Sequence, residues 1–505
     1  MLRPFVFLTL AALSLTACGD EPPDPAPAPT SENALAIGYS DPTPRGSAAA
    51  LTSLVSALAD ERLVQLRRDG RPEPALAERW EVSPDGLTWR FFLKEGLTLH
   101  DGSPLTASEA RRSIDALLKA SRAEQLPGIR DVAQVEAAGP LELRVRLQRP
   151  NWLFIEDVAV SAITGGESGE SQAGPFRLVS RTATEAVLAG FPGYHRGTPG
   201  LDQIRIRAYP TPRSAWGAMM RGEIDFLYDV APEAIGFVEQ SKTTVVATFL
   251  RPYVTGMVFN MNHPVLQRRD VRVALNAGVN RSAVLNTALQ NRGYPATDHV
   301  WPRHWARDPM GPRFRHDPAR AARMLDEAGL PLRPARKEGE RAGRFAFTCL
   351  VPIGDPRFER VGLIVQRQLI ELGVDMRLEA LPLPDLAERL AAGKFDAFLF
   401  ELLSGHGLDF THWFWRSPGP PIMKTGYRAA DAVLDRITKA GTDQAMREAV
   451  ADLQRVMHED PPGIFLYWSE TTRAVSRRFN LPREPDRDIL STVARWRVAD
   501  PSGTE

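Results

Sequence analysis

Residues 75–89 read Ala75-Leu76-Ala77-Glu78-Arg79-Trp80-Glu81-Val82-Ser83-Pro84-Asp85-Gly86-Leu87-Thr88-Trp89. Residues 80–83 and 87–93 are apolar-rich arms on either side of Pro84-Asp85-Gly86, and this order predicts a β-hairpin. Just downstream, His100-Asp101-Gly102 reads as a second turn whose side chains bond the local backbone, not as a catalytic pair. Thr106, with Glu109 three residues on, has capping-box spacing and starts a helix.

Working outward, the chain keeps mixing strand and helix patterns. Residues 35–39 are an apolar strand run, and 48–66 have helical spacing that Arg71-Pro72-Glu73-Pro74 breaks. Segments 141–147 and 201–209 alternate apolar and polar residues as half-exposed strands do, while 212–220 is helical and 222–226 turns back into a strand. A second α/β region opens near Val254. It holds helices at 270–280, 319–328, 358–372 and 444–459, a strand at 394–400, and an apolar run around Cys349 that reads as a buried strand. At 505 residues the chain exceeds one ordinary core, so two or three domains are expected. Lys+Arg and Asp+Glu are 62 each, a balance that gives no basic excess for a nucleic-acid partner. Two cysteines cannot build a disulfide framework, and no solenoid-length repeat is present.

The N-terminus is an address. Met1-Leu2-Arg3 is a short positive region, 5–15 is an apolar core too short to span a bilayer, and Leu15-Thr16-Ala17-Cys18 closes it with small residues. This resembles a bacterial lipobox, with cleavage before Cys18 and acylation of its thiol, making 1–17 a lipoprotein signal peptide. Residues 18–33 follow as a tether with Pro at 22, 23, 25, 27 and 29, extended at about 3 Å per residue. Acyl chains would hold the chain to a membrane, each buried CH₂ contributing about 0.8 kcal/mol.

The 75–89 block runs on into Leu93-Lys94-Glu95-Gly96-Leu97-Thr98-Leu99-His100-Asp101-Gly102-Ser103-Pro104-Leu105-Thr106-Ala107. Further blocks follow: Gly174-Pro175-Phe176-Arg177-Leu178, Arg221-Gly222-Glu223-Ile224-Asp225, 270–281, and Asp460-Pro461-Pro462-Gly463-Ile464-Phe465-Leu466-Tyr467. In this order and spacing they resemble the bacterial extracellular solute-binding proteins of family 5, the dipeptide, oligopeptide and nickel type, over roughly residues 35–480. The resemblance implies an α/β, two-lobe periplasmic-binding-protein fold, type II-like, with an extra subdomain in lobe I and a two-segment hinge. On that mapping lobe I is 34–253 plus 476–505 with the insertion at about 70–170, and lobe II is 254–475. It further implies a monomeric, non-enzymatic protein of the cell envelope without a cofactor. Such a protein would capture a small ligand, a peptide or peptide-like compound, by hinge closure and deliver it to ABC permease subunits.

Ligands of open α/β sheets gather at the carboxyl ends of strands, which points to the loop after 394–400. In peptide-binding relatives that loop carries an Asp for the ligand's amine; alignment places His406 there, and a register shift places Asp409 there. A carboxylate makes a charge-assisted bond to an ammonium that an imidazole does not. His406, Asp409 and His412 also form a His-x₂-Asp-x₂-His spacing open to a metal complex. Trp413 and Trp415 serve as stacking walls or as packing, and Trp301 and Trp305 carry the same two readings. A ligand sensor or periplasmic chaperone on the same fold is the alternative function. A hydrolase is disfavoured, because neither Gly-x-Ser-x-Gly nor His-Glu-x-x-His occurs.

Overall fold

The computed structural model describes residues 31–40, 48–120, 125–231, 234–335, 342–482 and 488–499. Cys18, the signal segment 1–17 and all of the tether but its last three residues lie outside them. Among the described residues the backbone is a large mixed sheet whose strands run, from one edge, Val374–Leu381, Phe345–Pro352, Ala397–Leu403, Thr244–Phe259, Gly463–Ser476, Phe226–Leu227, Ala34–Ser40, Gln203–Tyr209, Glu185–Gly190 and Phe176–Arg181.

Two long strands in the middle, Thr244–Phe259 and Gly463–Ser476, pair antiparallel from Thr244 opposite Ser476 to Val258 opposite Gly463 and join the two lobes. Their register breaks between Leu250 and Val254, at Arg251-Pro252-Tyr253, where proline has no N–H for the ladder. On one side of this break Val475 and Ala474 pair with Phe226 and Leu227, continuing into lobe I. On the other, Tyr253–Phe259 pair with Leu403–Ala397, the lobe II sheet. A second register shift follows between Thr255 and Gly256, and two adjacent strand crossings at such an irregular stretch are what a hinge requires.

Side-chain alternation puts cores on both faces of the lobe II sheet. Val254, Val258 and Leu402 face one core with Trp301 and Trp415, while Met257, Phe259 and Leu399 face another with the helices Arg269–Gly278 and Pro356–Glu371. Cys349 is fully buried in the second. The predicted hairpin forms from Ala77–Val82 and Thr88–Leu93 with Gly86 at φ +70°, and it belongs to a separate four-stranded antiparallel sheet with Glu142–Leu147 and Val132–Ala137. That sheet has its own core around Trp89, Phe91 and Phe154.

Four local expectations are corrected. The helix at 48–66 ends at Ala59, and Val64–Leu66 pairs with Pro72–Pro74 as a strand. Thr106 does precede the helix Ala107–Lys119, but its side chain makes no capping hydrogen bond. The strand placed at 394–400 is Ala397–Leu403, because Leu402 and Leu403 find partners in Val254 and Tyr253. Finally, 409–415 is a short helix, Asp409–Trp415, not a loop.

Candidate ligand-binding site

The strand ends of the two lobes meet at the hinge, and a cavity of about 310 Å³ opens there between them. Lobe I contributes Tyr228 and Asp229 from the end of the strand Phe226–Leu227, the hinge strands contribute Arg251 and Arg473, and lobe II contributes Arg292 and Arg357. Its size lies at the small end of pockets that enclose small molecules.

Three of the four arginines are already neutralised. Arg357 donates from Nε and Nη2, one edge of its guanidinium, to the two oxygens of Asp355 at 3.0 and 2.6 Å. Arg251 Nη1 sits 3.2 Å from each oxygen of Glu401. Arg473, buried against the ring of Tyr228, donates to Asp229 and to Asp488, both at 3.0 Å. Burial alone would lower the Arg473 and Arg357 pKa values, and these carboxylates carry both above their ordinary value instead. Arg292 differs: half-buried on the cavity wall, its guanidinium has no carboxylate or hydrogen-bond partner among the described residues. Asp229, lining the same cavity, has a side chain 59% exposed, with Oδ1 accepting from the Thr471 hydroxyl and Arg473. An open guanidinium and an accessible carboxylate in one cavity can hold the two ends of a zwitterion.

The segment singled out by sequence lies at another lobe contact. His406 is partly exposed, with its ring edge-on to Trp301 at 5.0 Å, and Trp301 donates its indole N–H to the Arg68 carbonyl of lobe I at 2.8 Å. Gly70, at φ +82°, lets the 67–70 turn press so close that a Cβ there would collide with the His406 carbonyl and the His304 ring. Trp305 N–H donates to the Asp69 carbonyl, its ring carries the Arg71 guanidinium at 4.0 Å, and Arg71 pairs with Asp443 at 2.7 Å.

Asp409, His412 and Trp415 are enclosed, at 1%, 6% and 1% exposure, and Trp413 is partly buried among Phe410 and Phe414. The start of the 409–415 helix is met by Glu156 of the lobe I subdomain, whose Oε2 accepts the backbone N–H groups of Leu408 and Asp409 at 2.6 and 3.0 Å. Asp157 beside it accepts the N–H groups of Gly128 and Ile129. Burial first, and the Asp409 charge second, raise Glu156 and Asp157 above the ordinary carboxylate range, and burial raises Asp409. Burial likewise holds the imidazole of His412 down to about 4. His406, Asp409 and His412 are not gathered into a metal-binding group; among the described residues no three His, Cys, Asp or Glu side chains are. His100-Asp101 is the turn expected, with Asp101 Oδ1 accepting the Ser103 N–H at 2.9 Å and His100 Nε2 bonding to the Gly174 carbonyl.

The sequence reading passed over Arg292, Asp229, Glu156 and Asp157. Arg292 stands in an unremarked turn, and Glu156 meets its partner 253 residues away, so neither carries a local signal.

The model for the middle region of the bacterial extracellular solute-binding proteins, family 5, matches residues 71–419. The chain belongs to this family. A probable D,D-dipeptide-binding periplasmic protein of Escherichia coli K12 is 24% identical over 452 residues, covering 83% of this chain and 84% of that one. A Campylobacter jejuni protein solved in complex with Ni(L-His) superposes at a TM-score of 0.78 with 18% identity, over 92% of this chain and all of that one. The oligopeptide-binding protein of Bacillus subtilis, solved with a nonapeptide, superposes at 0.74 with 19% identity, over 92% and 99%. This family-5 protein thus has the two-lobe binding-protein fold. Its named relatives are binding proteins, and none of these matches points to a catalytic family. No helix among its described residues is long and apolar enough to cross a membrane.

Proposed function

We propose that the protein captures a peptide or peptide-like zwitterion between its lobes and delivers it to an ABC import permease, held at the cell envelope by lipid on Cys18. The observation that carries the ligand reading is the hinge cavity, lined by both lobes, with the open guanidinium of Arg292 and the accessible carboxylate of Asp229 both in its lining. A cavity built from both lobes exists in this form only when they are closed, so ligand and closure stabilise each other. The relatives' names, which include a D,D-dipeptide binder and an oligopeptide binder, support the same class. The lobe limits 34–253 with 476–505 and 254–475 are part of this proposal; the register break at Arg251–Tyr253 supports the first crossing, and on the partner strand the break falls between Trp468 and Glu470, before 476. Within the 406–415 segment His406 and Trp413 keep accessible surface while Asp409, His412 and Trp415 are enclosed, and none of the five lines the hinge cavity.

Native mass spectrometry of gently purified protein, followed by dipeptide titration in solution scattering and calorimetry, tests the reading. A bound dipeptide should reduce the radius of gyration and raise the melting temperature, and Arg292→Ala should weaken its binding about tenfold or more. If no peptide or other zwitterion among the ligands tried alters scattering or melting, the ligand class is wrong.

A further inference from the structure

A second cavity, of about 590 Å³, lies wholly within lobe II, formed by residues 279–316 and Trp468. Its lining contains Arg281, Arg303, His304, Arg307, Arg313 and His316 and no aspartate or glutamate. We propose that this cavity binds a small oxyanion, a phosphate- or carboxylate-bearing ligand, independently of the ligand held at the hinge.

Arg281 is only 5% exposed. Its Nε donates to the carbonyls of Ala296 and Phe465 at 2.8 and 2.7 Å, Nη1 to the Asn276 carbonyl at 3.0 Å, and Nη2 to the Asn276 side-chain oxygen. Every one of these acceptors is neutral. A buried cation ordinarily has a counter-charge, and none of the described carboxylates pairs with this one. The other buried arginine of the same sequence block, Arg272, makes the contrast: it pairs with Asp460. Burial draws the Arg281 pKa down to about 9, as expected of an uncompensated cation.

The missing counter-charge has room beside it. Phe314, which lines the cavity, has its ring 5.1 Å from the Arg281 guanidinium carbon. Arg313 donates to the Pro309 carbonyl at 3.0 Å, and it too has no carboxylate partner among the described residues. Arg307 is spent on Asp298, at 2.7 Å through both nitrogens, so the pair adds structure and little net charge. The helix Arg281–Leu289 starts at the cavity wall, and its positive end adds to the same field. Nearby acids are otherwise engaged: Asp317 caps the helix Pro318–Glu327, and Asp308 accepts the Met310 N–H. Lobe II and the end of one hinge strand supply every wall, and of the lining only His304 is met by the lobe I turn at Gly70, so hinge opening leaves the arginines of the site in place.

Inorganic phosphate and citrate are the probes, compared with chloride at equal ionic strength on the full folded chain. Arg281→Gln tests the buried cation but risks the fold, so Arg313→Glu, on an exposed residue, is the decisive variant. Phosphate or citrate should raise the melting temperature of the wild type, and Arg313→Glu should weaken that binding about tenfold or more while leaving hinge-site ligand binding unchanged. Equal melting temperatures in phosphate, citrate and chloride would overturn the proposal. So would an anion effect that Arg313→Glu leaves intact, since the anion would then bind elsewhere.

Discussion

Asp409 shows how far one residue's identity can be read without its surroundings. Its type and its place after a strand match an amine-binding carboxylate, yet its side chain is 1% exposed beside Glu156 and Asp157. Three buried carboxyls raised above their ordinary range hold protons that the unfolded chain releases. Their contribution to stability is full below about pH 4 and is lost as pH rises through the raised folded values. The buried imidazoles work in the opposite sense. Burial, as the leading cause, holds His299 and His304 down to about 3, so the stability they give is present above about pH 6.5 and is lost as pH falls. His412 adds to this acid-side loss; the charged groups acting on it are Arg130, Arg149, Arg416 and Asp435. The two effects oppose each other between about pH 4 and 6.5, so the melting temperature should fall on the alkaline side above about pH 6.5 and on the acid side below about pH 4, and Asp409→Asn should flatten the alkaline limb and leave the acid limb. Because the carboxylate is enclosed, the same variant should alter ligand affinity less than about threefold. A loss of about thirtyfold or more in calorimetry would instead place Asp409 on the ligand's amine.

Among the elements, those with a strong local pattern fall where sequence puts them. The helix Pro212–Met220 is reproduced to the residue, with Thr211 and Ser214 forming a capping box, and the helix Pro356–Glu371 differs from expectation by one or two residues. Elements whose limits depend on a distant partner move. The strand Thr244–Phe259 starts ten residues before the expected opening of the second region, because its first half is held by Gly463–Ser476, more than 200 residues on. The turn 67–70 has a role that its sequence, Arg67-Arg68-Asp69-Gly70, does not reveal. Gly70→Ala puts a side chain at φ +82° and against the His406 carbonyl, two costs that fall at the contact between lobes. Far-UV circular dichroism should stay unchanged while scattering shows a larger radius of gyration and ligand binding weakens about tenfold. An unaltered scattering curve would show that the turn does not govern closure.

For the molecule as a whole, the polar contacts between the lobes include Arg71–Asp443, the Trp301 indole, the Trp305 N–H on the Asp69 carbonyl, the Glu156 carboxyl on the 408–409 amides, and the Trp152 N–H on the Thr438 carbonyl, beside packing of Leu153 into the lobe II core. Most are single hydrogen bonds or partly exposed ion pairs, each contributing on the order of 1 kcal/mol, which suits an interface that must reopen. The proposed anchor belongs to this scale too, since it sets where the closed protein meets a permease. Cys18→Ser should move the protein from the membrane fraction to the soluble fraction, or leave an uncleaved precursor seen as a mass increase. Normal processing with unchanged membrane association would remove Cys18 as the anchor.

By itself the sequence determined the family, the alternation of strands and helices, and the hairpin at 77–93, because ordered blocks, turn residues and hydrophobic periodicity are local properties. Tertiary structure alone decided which charges are open. It left Arg292 and Arg281 without carboxylate partners among the described residues, enclosed Asp409 behind Glu156, and set Gly70 against His406. The reason is physical: desolvation and pairing depend on which distant segments close over a side chain, and no spacing along the chain encodes that distance.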